Sequence, residues 1–162
     1  MYKYFQPNKK DIKDKYGDCV IRALCKAFNM SWTDVFDEIN PISRTLQIPF
    51  NCKPCYNEYI TKKGGMYKTI SRPKKNSHRP TVYEFCRTHR QGTYILTLAH
   101  HIVTVQDGHW FDTWDCGSHC VYSYWEVVPP QYKQVEFEMK KVMKNTNLSP
   151  AEILTMLKSK EK

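Results

Sequence analysis

Apolar residues in the first quarter of the chain recur at helical spacing. The first stretch begins near Asp18, a residue type favoured at helix N-caps. Its apolar positions are Val20, Ala23, Leu24, Ala27 and Phe28. A second stretch begins at Ser31, which forms a capping-box pattern with Asp34. Its apolar positions are Trp32, Val35, Phe36 and Ile39. The spacing predicts two consecutive amphipathic helices, the second ending before Pro41.

Polar segments precede and follow these two helices. Residues 1–16 are expected to form an irregular N-terminal arm. Residues 41–79 contain four prolines and the pair Gly64-Gly65, which predicts a long loop with one short helix over residues 56–62. Pro80 is expected at the first position of a further helix, where its missing N–H costs nothing.

The period then changes from helical to alternating. The segments YILTL, HIVTVQ and HWFDTW, within residues 94–114, have the β-branched and aromatic composition of strands. Asp107-Gly108 lies between the last two and predicts a tight hairpin turn. The alternation in VYSYWEVV is expected to place four residues on one face: Val121, Ser123, Trp125 and Val127. Helices followed by antiparallel strands predict an α+β fold, with the N-terminal helices packed on the sheet.

Length and charge narrow the class of protein. A chain of 162 residues predicts one main domain, taken as residues 1–138, followed by a basic helical tail over residues 139–162. The net charge of +9 is unevenly spread, since residues 61–90 carry nine Lys/Arg against one Asp/Glu, and residues 91–138 carry one against six. This distribution is not typical of a nucleic-acid-binding protein. The basic segment 61–90 is the candidate contact for an acidic partner.

Compartment and redox state follow from simple features of the sequence. No apolar run reaches the length of a membrane helix, and the first residues lack the apolar core of a signal peptide. The protein is therefore expected in the cytoplasm, or in the host cytoplasm if a phage encodes it, without a membrane partner. The seven cysteines are an odd number, so at least one thiol is free, and in the cytoplasm all are expected to be reduced.

Three residues combine into a candidate catalytic site. Cys19 is expected in the first turn of the first helix, whose N-terminal partial charge favours a thiolate, although a buried structural cysteine is the competing interpretation. His101 opens a strand, and the turn at Asp107-Gly108 returns the chain so that Asp112 approaches it. A carboxylate beside a histidine orients the ring and stabilises its cation. His100 is the alternative base and is expected to face the other side of the strand.

The segments that hold these residues resemble papain-like cysteine peptidases. GDCVIRAL (residues 17–24) and HIVTVQDGHWFDTWD (residues 101–115) are similar to compact members from phages and bacteria. The resemblance implies Cys19 as nucleophile, His101 as general base and Asp112 as the orienting residue. The implied enzyme is a cysteine peptidase or related thiol hydrolase that cleaves peptide or isopeptide bonds of a protein or peptide substrate without a cofactor.

The resemblance also implies supporting residues. Trp114 is expected to pack over the His101–Asp112 pair, and Asp18 flanks the nucleophile near the oxyanion position, although an ionised carboxylate cannot donate a hydrogen bond. Lys13 stands where papain has an oxyanion-binding Gln. Because Asn replaces the orienting Asp in many members, Asp112→Asn is expected to keep substantial activity. Asp115 is expected on the opposite face from Asp112, three positions away.

Two non-catalytic alternatives remain open. Cys52 and Cys55 have the spacing of a zinc knuckle, to which three downstream residues can add ligands: Cys116, His119 and Cys120. The stretch KKGGMYKTISRPKKNSHRP mixes Lys, Arg and Tyr, which suits contact with a phosphate backbone, but a solvated loop that keeps a small protein soluble is the preferred explanation. A small basic zinc- or nucleic-acid-binding protein is therefore the alternative to an enzyme.

Overall fold

Four helices and six strands make up the described part of the chain, which comprises residues 1–10, 15, 17–71 and 78–127 of a computed structural model. The helices are α1 (Cys19–Phe28), α2 (Trp32–Leu46), α3 (Lys53–Lys62) and α4 (Val82–Thr88). The strands are β1 (Tyr2–Tyr4), β2 (Gly65–Thr69), β3 (Thr93–Leu98), β4 (His101–Gln106), β5 (His109–Asp112) and β6 (Ser123–Val127). The α+β class is confirmed.

All six strands form one sheet in the order β1-β5-β4-β3-β6-β2. Neighbouring strands are antiparallel except β1 and β5, which are parallel, with Tyr4 paired to Asp112. The sheet is therefore mixed, and the prediction of a purely antiparallel sheet was wrong. The N-terminal arm was predicted as irregular, but its first residues complete the sheet edge beside β5.

Hydrophobic cores lie on both faces of the sheet. One core joins α1, α2 and α3 to the face that carries Ile95 and Ile102. The other joins α4 to the opposite face, which carries Leu96 and Val103. Successive strand residues point to opposite faces, so buried positions on both faces turn the central strands into nearly continuous apolar runs.

Helix α1 is buried over most of its circumference. Of the predicted apolar positions, Val20, Ala23 and Leu24 are buried, and Ala27 and Phe28 are partly buried. Ile21 and Cys25 are buried as well, because the helix lies between the sheet and α2. It is fixed to β4 by Thr104, whose Oγ1 donates to the Ala23 carbonyl oxygen at 2.6 Å. One charged residue, Arg22, is also buried within this helix.

Helix α2 begins as predicted, with the Ser31 side chain accepting from the Asp34 amide at 3.1 Å. It does not end before Pro41 but continues to Leu46 with the proline inside. Beyond the proline, Ile42 is buried on the face that also carries Ile39. Burying a further apolar side chain stabilises the last turns and offsets the N–H that proline lacks.

The predicted loop over residues 41–79 is more ordered than its composition indicated. The short helix is present as α3 but begins at Lys53, and Gly65 opens β2, which pairs with β6. Pro80 is not the first helical residue. Thr81 is the N-cap of α4 and forms a full capping box with Glu84.

The predicted β4–β5 hairpin is confirmed. Asp107 and Gly108 have φ values of 50° and 73°, as required for a two-residue turn of this twist, and Gln106 pairs with His109. Of the residues predicted on one face of the last strand, Ser123, Trp125 and Val127 alternate as buried positions. Val121 lies before the strand and packs into the opposite core.

The first compact unit spans Met1–Val127. The predicted domain boundary at residue 138, the tail over 139–162 and its helix lie outside the described residues. Within the described part of the chain, every helix is too short or too polar to cross a membrane.

Candidate active site

Cys19, His101 and Asp112 come together at one end of the sheet. Cys19 is the first residue of α1, His101 the first of β4 and Asp112 the last of β5. The Nε2 atom of His101 is in hydrogen-bond contact with Oδ2 of Asp112. Cys19 is partly exposed and lines a cleft of about 370 Å³ together with His101, whereas the Asp112 side chain is 1% exposed. The site therefore presents a thiol and an imidazole to solvent and keeps the carboxylate behind them.

Backbone contacts hold Asp112 in place. Its carbonyl oxygen accepts from the Phe5 amide at 2.9 Å, which ties the end of β5 to the N-terminal segment. Its Oδ1 accepts from the Thr113 amide at 2.8 Å. The predicted irregular arm thus supports the position of the carboxylate that contacts His101.

Arg22 is a site residue that was not predicted from the sequence. Its Nε and Nη2 atoms donate to Oδ1 of Asp112 at 3.1 and 2.9 Å, and its Nη1 atom donates to Oδ1 of Asp18 at 2.6 Å. Asp18 also accepts from Nε1 of Trp32 at 3.2 Å. The guanidinium therefore links the start of α1 to the end of β5. The feature of the sequence that could have indicated this role is a charged residue inside an otherwise apolar helix, four positions after Asp18.

Charge within the site is carried by the partly exposed His101 and by the buried Asp112 and Arg22. Burial of the His101 ring opposes its positive charge, but the hydrogen bond to Asp112 and contacts with two thiols outweigh burial and raise the pKa of His101 to about 11. Burial also opposes the charge of Asp112, yet His101 and Arg22 hold the pKa of its carboxyl below the ordinary value. The pair is therefore an imidazolium and a carboxylate at neutral pH.

The second thiol near His101 belongs to Cys116, which is fully buried. Burial raises the pKa of the Cys116 thiol. The potential ligand atoms of His101, Asp112 and Cys116 lie within 4.8 Å of one another. However, both oxygens of Asp112 already accept from Arg22 and His101, so a metal ion would have to break those bonds. Cys19 is the thiol that a substrate can reach.

Of the two predicted supporting residues, Trp114 lies beside His101, whereas Asp18 faces away from the cleft. Trp114 is 40% exposed, and the centroid of its ring lies 5.1 Å from that of His101 and 4.9 Å from that of His119. Asp18 is buried and directs its carboxylate toward Arg22, not toward the cleft. Lys13 lies outside the described residues.

His100 and Asp115, the competing residues, are placed differently from the prediction. His100 lies in the turn between β3 and β4 with φ 54°, so it is not on the strand, and it lines the same cleft as His101. Asp115 follows the end of β5 and accepts from Nε1 of Trp110 at 3.0 Å. The hydrogen bond to Asp112 is made by His101.

The cysteines of the zinc alternative are not brought together. Cys52 is the N-cap of α3, and Cys55 is buried in the core beneath α1 and α2. Among the described residues, no group of three potential ligands contains Cys52, Cys55 or Cys120. The basic stretch includes β2, where Lys68 pairs with Glu126 at 2.6 Å.

Comparison with known proteins identified no relative of this chain. No family model matches the sequence, and no curated protein or solved structure shows significant similarity to the chain.

Proposed function

We propose that the protein is a papain-like cysteine peptidase, or a related thiol hydrolase, that cleaves peptide or isopeptide bonds. The observation that carries this proposal is the arrangement of Cys19, His101 and Asp112. An accessible thiol at the start of a helix shares a cleft with an imidazole, and the far ring nitrogen of that imidazole contacts a buried carboxylate. This is the relation of nucleophile, base and orienting group that defines a catalytic triad.

Acylation starts from a thiolate and an imidazolium. Because Nε2 of His101 faces Asp112, Nδ1 is the nitrogen available to Cys19. The sulfur attacks the substrate carbonyl carbon, and the carbonyl π electrons move to oxygen. When the C–N bond breaks, the imidazolium gives its proton to the departing nitrogen, which leaves as an amine. The products of this step are a thioester on Cys19 and a neutral His101.

Deacylation restores the resting state. Neutral His101 removes a proton from water while the water oxygen attacks the thioester carbonyl. Breaking the C–S bond releases the carboxylic acid and leaves the thiolate beside the imidazolium. In both steps, the negative oxygen can be received by the Cys19 backbone N–H, because the first N–H groups of a helix have no partner within it. Two neutral donors, the Asn51 amide and the Tyr56 hydroxyl, line the same cleft.

Arg22 supports the orienting role of Asp112. The fixed carboxylate holds the ring by Nε2, so that Nδ1 remains directed toward the nucleophile, and a misplaced ring would lose much of the rate. Burial of this network excludes water from the carboxylate. In the papain-like arrangement that we propose, α1 carries the nucleophile at its first residue and packs against the strand that carries the base.

The proposal is tested by brief alkylation with iodoacetamide near neutral pH, followed by mass-spectrometric mapping of the adducts. Cys19 should be modified at least about tenfold faster than Cys52 or Cys120, because an imidazolium stabilises its thiolate. Those two thiols are matched controls, since they too are partly exposed. His101→Ala should reduce the Cys19 rate to that of the controls.

His100→Ala is the control for the histidine, because His100 lines the same cleft but does not contact Asp112. It should leave alkylation of Cys19 and peptide turnover largely unchanged. Faster modification of Cys52 or Cys120 than of Cys19 would contradict the assignment of the nucleophile. A larger effect of His100→Ala than of His101→Ala would contradict the assignment of the base.

A further inference from the structure

One wall of the active-site cleft is formed by the start of α3 and the residue two positions before it. Asn51, Lys53 and Tyr56 face the same space as Cys19 and His101. The described residues that line this cleft include no Asp or Glu. Besides the His101 imidazolium, which is paired with Asp112, the cationic side chain among those lining residues is Lys53, which is exposed.

No acidic side chain among the described residues forms an ion pair with Lys53. Lys62 on the same helix pairs with Glu58 at 2.6 Å, whereas Lys53 has no carboxylate partner among the ion pairs of the described residues. Its ammonium lies 6.0 Å from the centroid of the Tyr67 ring. An unpaired cation beside a nucleophile creates a positive potential in the cleft that favours negatively charged ligands.

The α3 wall and the segment that carries His101 are separate parts of the cleft lining. Lys53 and Tyr56 come from α3, whereas His101 belongs to the β3–β4 segment, together with His100 and Ile102. Because His101 protonates the departing nitrogen, the leaving group must lie toward His101. The wall that carries Lys53 is therefore on the acyl side of the scissile bond.

We propose that Lys53 forms an anion subsite, and that the enzyme prefers substrates with an acidic side chain, Asp or Glu, on the acyl side of the scissile bond. The inference rests on the proposed thiol-hydrolase function and names its substrate class. Lys53 is a specificity residue, which binds the substrate and takes no part in bond breaking. The step at Cys19 is unchanged by it.

The test uses peptidyl acyloxymethyl ketones, which alkylate the active-site thiol and release a carboxylate. Four probes differ in one acyl-side residue, which is Asp, Glu, Asn or Lys. For the wild-type protein, the second-order rate of Cys19 modification should be about fivefold higher with Asp or Glu than with Asn, as expected for a partly exposed ion pair. The preference should decrease at high ionic strength, because salt screens exposed charges.

Substitutions separate the role of Lys53 from a general charge effect. Lys53→Met should equalise the Asp, Glu and Asn probes, and Lys53→Glu should favour the Lys probe by about fivefold. Lys62→Met is the matched control, because it removes one positive charge from the same helix outside the cleft, and it should retain the preference for acidic probes.

The outcomes distinguish this inference from the proposed function. Equal modification of Cys19 by acidic and neutral probes in the wild type would overturn the role of Lys53 and leave the thiol hydrolase standing. A preference for acidic probes that survives Lys53→Met would also overturn it. If no probe modifies Cys19, the proposed function fails, and the inference fails with it.

Discussion

Replacing Arg22 with Met tests whether the buried charge network holds the site together. The Arg22 side chain is 7% exposed, and its guanidinium makes three hydrogen bonds to two carboxylates, those of Asp18 and Asp112. Methionine fills a similar space but cannot donate. Among the described residues, Arg22→Met leaves the Asp18 side chain with its hydrogen bond from Trp32, and the Asp112 side chain with His101 and the Thr113 amide.

The expected loss of stability in Arg22→Met follows from the two buried carboxylates that lose their partner. Breaking a buried ion pair by removing one partner costs roughly 3–5 kcal/mol, because the remaining charge is buried without compensation. Arg22→Met leaves two carboxylates in this condition, so the free energy of unfolding should fall by at least about 3 kcal/mol. Adding Asp18→Asn to Arg22→Met removes one of the uncompensated charges and should restore about 1–2 kcal/mol.

Lys62→Met is a closely matched control. Both Arg22–Asp18 and Lys62–Glu58 join residues four apart on a helix at 2.6 Å. The side chains of the first pair are 7% and 6% exposed, whereas those of the second are 63% and 37% exposed. Lys62→Met should cost less than about 0.5 kcal/mol, as exposed helical pairs do. The two variants therefore differ in the burial of the pair and in the number of carboxylates left behind, two for Arg22 and one for Lys62.

Urea unfolding near neutral pH, followed by tryptophan fluorescence, measures the difference in the free energy of unfolding. If Arg22→Met does not fold, Arg22→Lys provides the measurement, since it keeps the charge but cannot reproduce the forked contacts. The reasoning is refuted if Arg22→Met costs no more than Lys62→Met. It is also refuted if Arg22→Lys is as stable as the wild type.

Further predictions concern His101 and Asp112. Folding raises the pKa of His101 to about 11. The contribution of its imidazolium to the free energy of unfolding is therefore full below about pH 6.5, the ordinary pKa of histidine, and is lost as the pH rises toward 11. The stability advantage of the wild type over His101→Gln should therefore fall by about 1 kcal/mol per pH unit above neutrality, and urea unfolding that shows a constant advantage would contradict this. Asp112→Ala should lower peptide turnover by about a hundredfold, because the ring loses its orienting partner. Asp115→Ala, the control with circular dichroism checked, should retain activity because Asp115 contacts Trp110 and Gly117 and not His101. Folded Asp115→Ala with no activity, beside active Asp112→Ala, would reverse the assignment.

Elements defined by local signals could be predicted from the sequence. The cap at Ser31, the apolar spacing of α1 and the turn at Asp107-Gly108 each depend on residues close together in the chain. Their energetics are decided within one turn or one hairpin, so the pattern is sufficient. The Thr81–Glu84 capping box was equally readable, but Pro80 was preferred as the helix start.

Elements defined by distant pairing could not be predicted in the same way. β1 is three residues long, largely exposed, and acquires its strand conformation by pairing with β5 about a hundred residues later. β2 is likewise exposed over most of its length and pairs with β6. At a sheet edge, an exposed strand carries little apolar alternation, because only its backbone needs a partner. The continuation of α2 through Pro41 also depended on tertiary burial, that of Ile42.

Within the site, too, features that depend on local sequence could be predicted, and features that depend on the packing of distant segments could not. The hairpin brings Asp112 near His101 by local geometry, and the start of α1 was evident from sequence, so the main members of the site could be predicted. The role of Arg22 could not, because it depends on how α1 lies across the end of β5. The orientation of Asp18 depends on the same packing. Sequence spacing alone gave no reason to expect that one buried cation would join both carboxylates.

The Arg22 contact changes what is expected of the orienting residue itself. In the papain-like resemblance, an Asn can replace Asp112 because it needs only one acceptor toward the imidazole. In this structure, both carboxylate oxygens are used: Oδ1 accepts from Arg22, and Oδ2 contacts Nε2 of His101. An Asn side chain has one oxygen, so its NH2 group must face either the guanidinium or the protonated ring nitrogen.

Asp112→Asn should therefore lose one charge-assisted hydrogen bond, worth roughly 1.5–3 kcal/mol, and place two donors against each other. Turnover should fall by about tenfold or more, in contrast to the substantial activity that the resemblance implies. Combining Asp112→Asn with Arg22→Met removes the competing donor and leaves the Asn oxygen free to face His101. If the double variant is folded, its turnover should exceed that of Asp112→Asn alone. Equal activity of Asp112→Asn and the wild type would mean that Arg22 places no demand on Asp112, and that the acceptor toward His101 is all the site requires.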